Sequence, residues 1–146
     1  MSYTCQHFAI HELVPPETLQ ALGEARCWWL LDEGMLRDLD RLREDLAGAG
    51  LCGKITINNW HWGGQLKYSG FRPADCTEGA KHSQHRCGRG FDLKPDGKWD
   101  RDKADQVRQY IRDHRDRYPA IRSMETGITW VHVDGRNHEQ FLEFDP

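Results

Sequence analysis

The chain has 146 residues and a formal net charge of −3, and its twenty Lys and Arg residues are interleaved with acids instead of forming a stripe. A mean hydropathy of −0.82 with no long apolar run excludes a membrane protein, and interleaved charge argues against a nucleic-acid partner. The length predicts one soluble, monomeric domain over residues 1–146.

The first sixteen residues, MSYTCQHFAIHELVPP, contain no basic segment followed by an apolar one. We therefore expect cytoplasmic synthesis without a secretory signal. The five cysteines are irregularly spaced, which is unlike a disulfide framework and typical of a reducing compartment.

Apolar spacing predicts helices and short strands along the chain. Trp28 and Trp29, in the apolar CWWLL, are predicted core residues. A helix over MLRDLDRLREDLAGAG and another from Asp102 to about Arg117 are predicted from apolar residues at helical spacing. Predicted strands cover residues 54–60, 90–93, 120–125, 128–134 and 140–144. Helices and strands do not alternate, which indicates an α+β domain with a small, mainly antiparallel sheet packed by helices.

The strand over residues 128–134 carries two kinds of side chain. Its alternation directs Val131 and Val133 to the core and leaves Trp130, His132 and Asp134 on the other face.

The stretch SQHRCGRGFDL, residues 83–93, predicts a loop that turns at its glycines and enters a strand at Phe91. This geometry returns Asp92 toward His85. Two imidazoles and one carboxylate, here His85, Asp92 and His132, suit a catalytic zinc, which keeps its fourth position for water.

Two other interpretations of these residues stay open. His85 and Asp92 are also compatible with an ordinary surface histidine and a strand-end aspartate. The side chains of Cys76, His82, His85 and Cys87 are alternatively suitable for a structural zinc site, which would leave Asp92 and His132 without a metal role.

Two segments, YSGFRPADCTEGAKHSQHRCGRGFDL and WVHVD, resemble the zinc peptidases of the D-Ala-D-Ala carboxypeptidase and Hedgehog fold, a group that includes phage endolysins. The family pattern is SGYR, then SxHxxGxAxD, then a final strand with a histidine. The matching positions are Ser69, Gly70, Phe71, Arg72, Ser83, His85, Gly88, Asp92 and His132.

The resemblance implies a Hedgehog-like fold and zinc ligands at His85, Asp92 and His132. It also implies that Arg72 anchors a substrate carboxylate and that Ser83 contacts substrate near the metal. From the residues alone, a structural salt bridge for Arg72 and a turn or cap role for Ser83 stay open.

The chain departs from the family where an acidic general base often stands, because Thr129 lies three residues before the last histidine. We expect Glu125 to be the base, with Asp134 as the second choice for base or as a partner that orients a histidine. If Thr126 and Gly127 form a two-residue hairpin turn, Glu125 lies roughly 13 Å from His132 along the strands, which is too far for a base. A bulge or a wider loop would then have to bring Glu125 closer.

The expected function is zinc-dependent hydrolysis of a peptide bond in bacterial peptidoglycan, by a D,D-carboxypeptidase or an L-alanyl-D-glutamate endopeptidase. The implied partner is the peptidoglycan stem peptide, and the implied setting is phage-assisted release to the cell wall. The alternative is a non-catalytic zinc-binding structural or interaction domain of the same fold. Trp60 and Trp62 are either core residues or an aromatic platform for a glycan or peptide.

Overall fold

A computed structural model describes residues 2–146. The chain folds into a five-stranded sheet with helices packed against it. The helices are α1 Pro16–Leu22, α2 Glu24–Cys27, α3 Glu33–Gly48 and α4 Arg101–Asp113. The strands are β1 Ile55–Thr56, β2 Gly90–Pro95, β3 Ser123–Glu125, β4 Val131–Asp134 and β5 Leu142–Phe144. Their order is β1-β2-β4-β3-β5, and every pair is antiparallel except β3 with β5. The predicted α+β class is confirmed.

The two long helices bury the apolar faces that their sequences predict. Asp32 caps α3 by accepting a hydrogen bond from the Met35 amide, and Asp100 caps α4 through the Lys103 amide. The α3 face of Met35, Leu36, Leu39, Leu42 and Leu46 is buried. The second helix ends at Asp113, earlier than predicted, and a short 3-10 turn at Arg115–Arg117 follows it.

The predicted strand over residues 54–60 is correct only at Ile55–Thr56. Asn58 leaves the sheet because its amide bonds to the Glu12 carbonyl and its side chain accepts from the Ser69 amide. A 3-10 turn at Trp60–Trp62 then replaces the extended chain.

The prediction that both Trp28 and Trp29 belong to the core is wrong for Trp29, which is 69% exposed. Here the chain forms a 3-10 turn, in which successive side chains point in different directions. Trp28 packs against the core, while Trp29 points outward.

The centre of the sheet places the site. β2 and β4 are neighbours, with Phe91, Leu93, Val131 and Val133 fully buried on one face. The connection between β3 and β4 is held by Arg108 of α4, which is fully buried and donates to the carbonyls of Ile128 (2.9 Å) and Trp130 (2.7 Å). Among the helices of residues 2–146, none has the length and apolarity to span a bilayer.

Candidate metal centre

Two neighbouring strands and one turn bring together His85, Asp92 and His132. Asp92 of β2 stands directly opposite His132 of β4, so the two side chains lie on one face of the sheet. His85 comes from a 3-10 turn at Gln84–Cys87. One potential ligand atom from each residue lies within 4.8 Å of the others, and this group can therefore hold a metal ion.

Glycines allow the His85 turn to pack tightly enough for this arrangement. Gly88 ends the turn with φ of 69°, and a Cβ there would lie 1.7 Å from the Leu30 carbonyl oxygen. A Cβ at Gly90 would lie 2.7 Å from the His85 nitrogen. Glycine at position 90, where the family pattern has alanine, is thus a packing requirement of this chain.

Each histidine ring is oriented by an oxygen on its far side. In His85, Nδ1 lies 2.8 Å from the Gly70 carbonyl oxygen, and Nε2 lies 3.4 Å from Asp92 Oδ1. In His132, Nε2 lies 2.9 Å from Asp134 Oδ2, and Nδ1 lies 2.8 Å from Asp92 Oδ1. Metal-binding histidines are held in this way, with one nitrogen bonded to an oxygen and the other left for the metal.

The spacing is compatible with a tetrahedral metal ion. Bonds of about 2.0–2.1 Å to such an ion would separate its ligand atoms by about 3.3 Å. The two ligand distances to Asp92 Oδ1, 3.4 and 2.8 Å, bracket this value. Two imidazoles and a carboxylate also leave one tetrahedral position open, as in catalytic sites.

Hydrogen bonds from charged neighbours shift the pKa of both aspartates at the site. Asp134 is fully buried and accepts two hydrogen bonds from the Arg136 guanidinium, at 2.8 and 2.7 Å, and one from the Arg136 amide, at 3.1 Å. Burial alone would raise the pKa of Asp134, but the bonds from Arg136 and His132 hold it well below its ordinary value. The pKa of Asp92 is likewise held well below its ordinary value, because bonds with His132 and His85 outweigh its burial.

His132 shows the opposite shift. Burial favours its neutral form, but hydrogen bonds to Asp134 and Asp92 outweigh burial and raise its pKa to about 9. Without a metal, this shift favours the imidazolium form of His132 between the two carboxylates. A metal ion at Nδ1 would replace that proton.

A cavity of about 440 Å³ opens over this group. Besides the three potential ligands, its lining includes Arg72, Ser83, Gln84, Glu125, Trp130, Arg136 and Phe144. Burial raises the pKa of Glu125 above its ordinary value, although the nearby His132 lowers it.

Thr126 and Gly127 do not form a two-residue hairpin turn, so the conditional separation of roughly 13 Å between Glu125 and His132 does not apply. The wider loop that a base at Glu125 requires is present instead. β3 and β4 are joined by residues 126–130, and Ser123 and Met124 pair with Asp134 and Val133. Extending this register by one residue places Glu125 opposite His132. The longer connection brings the acid to the cavity.

Three other predicted residues have defined contacts. Arg72 lines the cavity but donates to Asp92 Oδ2 (3.2 Å) and to the Tyr68 carbonyl (2.7 Å), which is the salt bridge of the alternative interpretation. Ser83 Oγ accepts from the His85 amide, as a cap does. Asp134 contacts His132 on the side away from Asp92, so its geometry is that of an orienting partner.

The alternative cysteine-containing zinc site does not form. Within residues 2–146, the group of at least three potential ligands that contains His85 pairs it with Asp92 and His132, not with Cys76, His82 or Cys87. Cys87 is exposed.

Sequence reasoning missed Arg136 and Lys94. Arg136 follows His132 by four residues and lines the cavity. Lys94 is fully buried, and its Nζ donates to Ser69 Oγ (2.7 Å) and the Asp92 carbonyl (3.0 Å). Burial lowers the pKa of Lys94 to about 8. The signal for Lys94 is its position two residues after Asp92, on the same face of β2.

Comparisons of the chain with protein-family models, with curated proteins and with solved structures each give no significant match.

Proposed function

We propose that the protein is a zinc-dependent peptidase that hydrolyses a peptide bond in bacterial peptidoglycan. One observation carries the proposal: the oriented group of His85, Asp92 and His132 shares a cavity with a carboxylate, Glu125, that is not bonded to this group. A purely structural metal site needs four closed ligands and no such acid.

The donor set fits zinc, with His85 Nε2, His132 Nδ1 and an Asp92 oxygen as its ligands. When bound, zinc supplies Lewis acidity, which polarises a carbonyl and lowers the pKa of water to about 7. Gly70 and Asp134 hold the two imidazoles in the orientation that this binding requires.

Glu125 acts as the general base. Its carboxylate takes the proton of the attacking water and passes it to the leaving amine. A raised pKa suits both steps, because the group must accept and release a proton near neutral pH. Asp134 orients His132 and takes no part in proton transfer.

Arg72 holds a carboxylate of the substrate. A guanidinium has five donors, and Arg72 uses two of them on Asp92 and Tyr68. The remaining donors suit the free carboxylates of peptidoglycan stem peptides, because guanidinium and carboxylate pair in a planar, bidentate way. The substrates of D,D-carboxypeptidases and of L-alanyl-D-glutamate endopeptidases both carry such carboxylates. The proposed setting is phage-assisted degradation of the cell wall.

The test is incubation of the zinc-loaded protein with purified peptidoglycan, with and without a chelator, followed by mass spectrometry of the released fragments. We expect fragments that disappear with chelator, and their masses identify the cleaved bond. Glu125→Gln should retain zinc and lose at least about 100-fold in rate, while the exposed control Glu139→Gln keeps full activity.

No fragments from walls of several chemotypes, despite one zinc per chain, would refute the proposal. That outcome would favour the non-catalytic zinc-binding domain, with Thr129 in place of an acid as its explanation.

A further inference from the structure

We propose that a second cavity, centred on Trp62, binds one end of an acidic oligosaccharide. This Trp62 cavity has a volume of about 440 Å³, and its lining includes Glu12, Arg43, Lys54, Asn59, Trp62 and Asp96. It shares no lining residue with the cavity over the metal group. The inference goes beyond the proposed function, and its test requires neither zinc nor turnover.

Trp62 is an exposed but braced aromatic side chain. It is 64% exposed, in contrast to Trp60, whose Nε1 donates to the Val14 carbonyl. The Trp62 ring stands edge-on to His11 at 5.1 Å, and His11 stacks on His61 at 3.9 Å. A held indole offers a flat apolar face at low entropic cost, and the C–H face of a sugar ring packs on such a face.

Two basic side chains that line the Trp62 cavity have no partner in the described part of the chain. Within residues 2–146, the side chains of Arg43 and Lys54 make no ion pair or hydrogen bond, although both line the cavity. The acids of the lining have partners, since Glu12 accepts from the Ala9 amide, while Asp96 accepts from the Gly53 amide and lies 3.9 Å from Lys103 Nζ. Two free cations beside an open indole face suit a sugar that carries a carboxylate.

The remaining lining suits hydroxyl groups. Asn59 provides an amide that both donates and accepts, and Thr56 provides a hydroxyl that does the same. Sugar hydroxyls also donate and accept, so they match both groups. A nucleic acid fits less well, because its continuous phosphate charge would extend beyond the two cations of this cavity over a protein of net charge −3.

The experiment is an NMR titration of the full-length, ¹⁵N-labelled protein. The probe is a tetrasaccharide of alternating N-acetylglucosamine and glucuronic acid, and the matched neutral probe is chitotetraose. The six tryptophan indole N–H signals are followed, and the Trp62 signal is assigned by its loss in Trp62→Ala.

We expect the acidic tetrasaccharide to shift the Trp62 indole with a Kd of about 1 mM or below and to leave the Trp99 and Trp130 indoles unchanged. Chitotetraose and the double variant Arg43→Ala/Lys54→Ala should each weaken binding by at least about tenfold. Trp62→Ala should keep the wild-type circular dichroism spectrum, because its side chain is mostly exposed.

Four outcomes would overturn the proposal. The first is that the Trp62 signal does not shift at about 10 mM tetrasaccharide, and the second is that only the Trp99 or Trp130 signal shifts. The third is that the neutral probe binds as tightly as the acidic one. The fourth is that a single-stranded oligothymidylate binds more tightly at Trp62 than the tetrasaccharide does. Binding is measured on the wild-type protein in all four cases, and Trp62→Ala serves only to assign the Trp62 signal.

Discussion

Replacing Arg108 tests whether a single buried side chain holds the connection between β3 and β4. Arg108 is fully buried, and its guanidinium donates to the carbonyls of Ile128 and Trp130. In Arg108→Leu both acceptors lose a charged donor, and a hydrogen bond to a charged group contributes about 1.5–3 kcal/mol. Its partner Asp105 is half exposed, so that ion pair adds little.

The two hydrogen bonds lost at the carbonyls, partly offset by the apolar leucine, give an expected loss of about 3–5 kcal/mol in the free energy of unfolding, and the two bonds to the half-exposed Asp105 add little to it. With a urea m-value of about 2 kcal/mol/M, the unfolding midpoint should fall by roughly 2 M. The matched control is Arg101→Leu, on the same helix and 3.9 Å from the same Asp105 but 63% exposed, which should change stability by less than about 0.5 kcal/mol.

Urea unfolding followed by tryptophan fluorescence measures both variants. A loss below about 1 kcal/mol for Arg108→Leu, or a loss equal to that of the control, would refute the reasoning. It would mean that the connection is held by its other contacts.

Further predictions concern metal content, proton release and a glycine. His85→Ala should reduce bound zinc from about one ion per chain to none, as measured by inductively coupled plasma mass spectrometry. The control His138→Ala, at an exposed histidine, should retain the zinc. Equal zinc contents in the two variants would contradict the role of His85 as a ligand. Because the pKa of metal-free His132 is raised to about 9, its proton is present at pH 7.5 and must leave when zinc binds. Calorimetry in two buffers of different ionisation enthalpy should detect release of about one proton or more, with apparent affinity rising as pH rises toward 9; zero release is the contrary result. Gly88→Ala should destabilise the protein by about 3 kcal/mol or more in urea unfolding, since its Cβ would meet the Leu30 carbonyl at positive φ. Gly48→Ala, in open space within α3, should change stability by less than about 1 kcal/mol, and similar losses in both would contradict the packing argument.

Local periodicity was sufficient to predict which residues of the two central strands share a face. Residues at i and i+2 of a strand point to the same face. His132 and Asp134 could therefore be placed on one face of the strand, and Val131 and Val133 on the other face, without knowledge of the fold. The loop at 83–93 was predictable because glycines mark its turn.

The position of Glu125 was not predictable, because it depends on a distant residue. Nothing in the stretch ETGITW distinguishes a two-residue turn from the longer connection observed. Arg108, about twenty residues earlier on α4, supplies the two donors that this connection needs. The end of β1 was not predictable for the same reason, because it depends on hydrogen bonds between Asn58 and two residues distant in sequence, Glu12 and Ser69.

The salt bridge at Arg72 was left open by the sequence for a similar reason. A guanidinium pairs equally well with a carboxylate of the substrate and with one of the protein itself. Only the fold brings the Asp92 carboxylate within 3.2 Å of the Arg72 guanidinium.

Five side chains around the metal group form one unbroken row, Arg136–Asp134–His132–Asp92–Arg72, in which each contacts the next at 2.7, 2.9, 2.8 and 3.2 Å. Their charges alternate in sign while His132 is protonated. Exchange of one proton for a divalent ion would raise the charge of this row by one, and the contacts of Arg136 with Asp134, of Asp134 with His132 and of Asp92 with Arg72 do not involve that proton. The ordering entropy of these side chains is therefore lost when the chain folds, and metal binding can proceed without rearrangement of the residues that receive it.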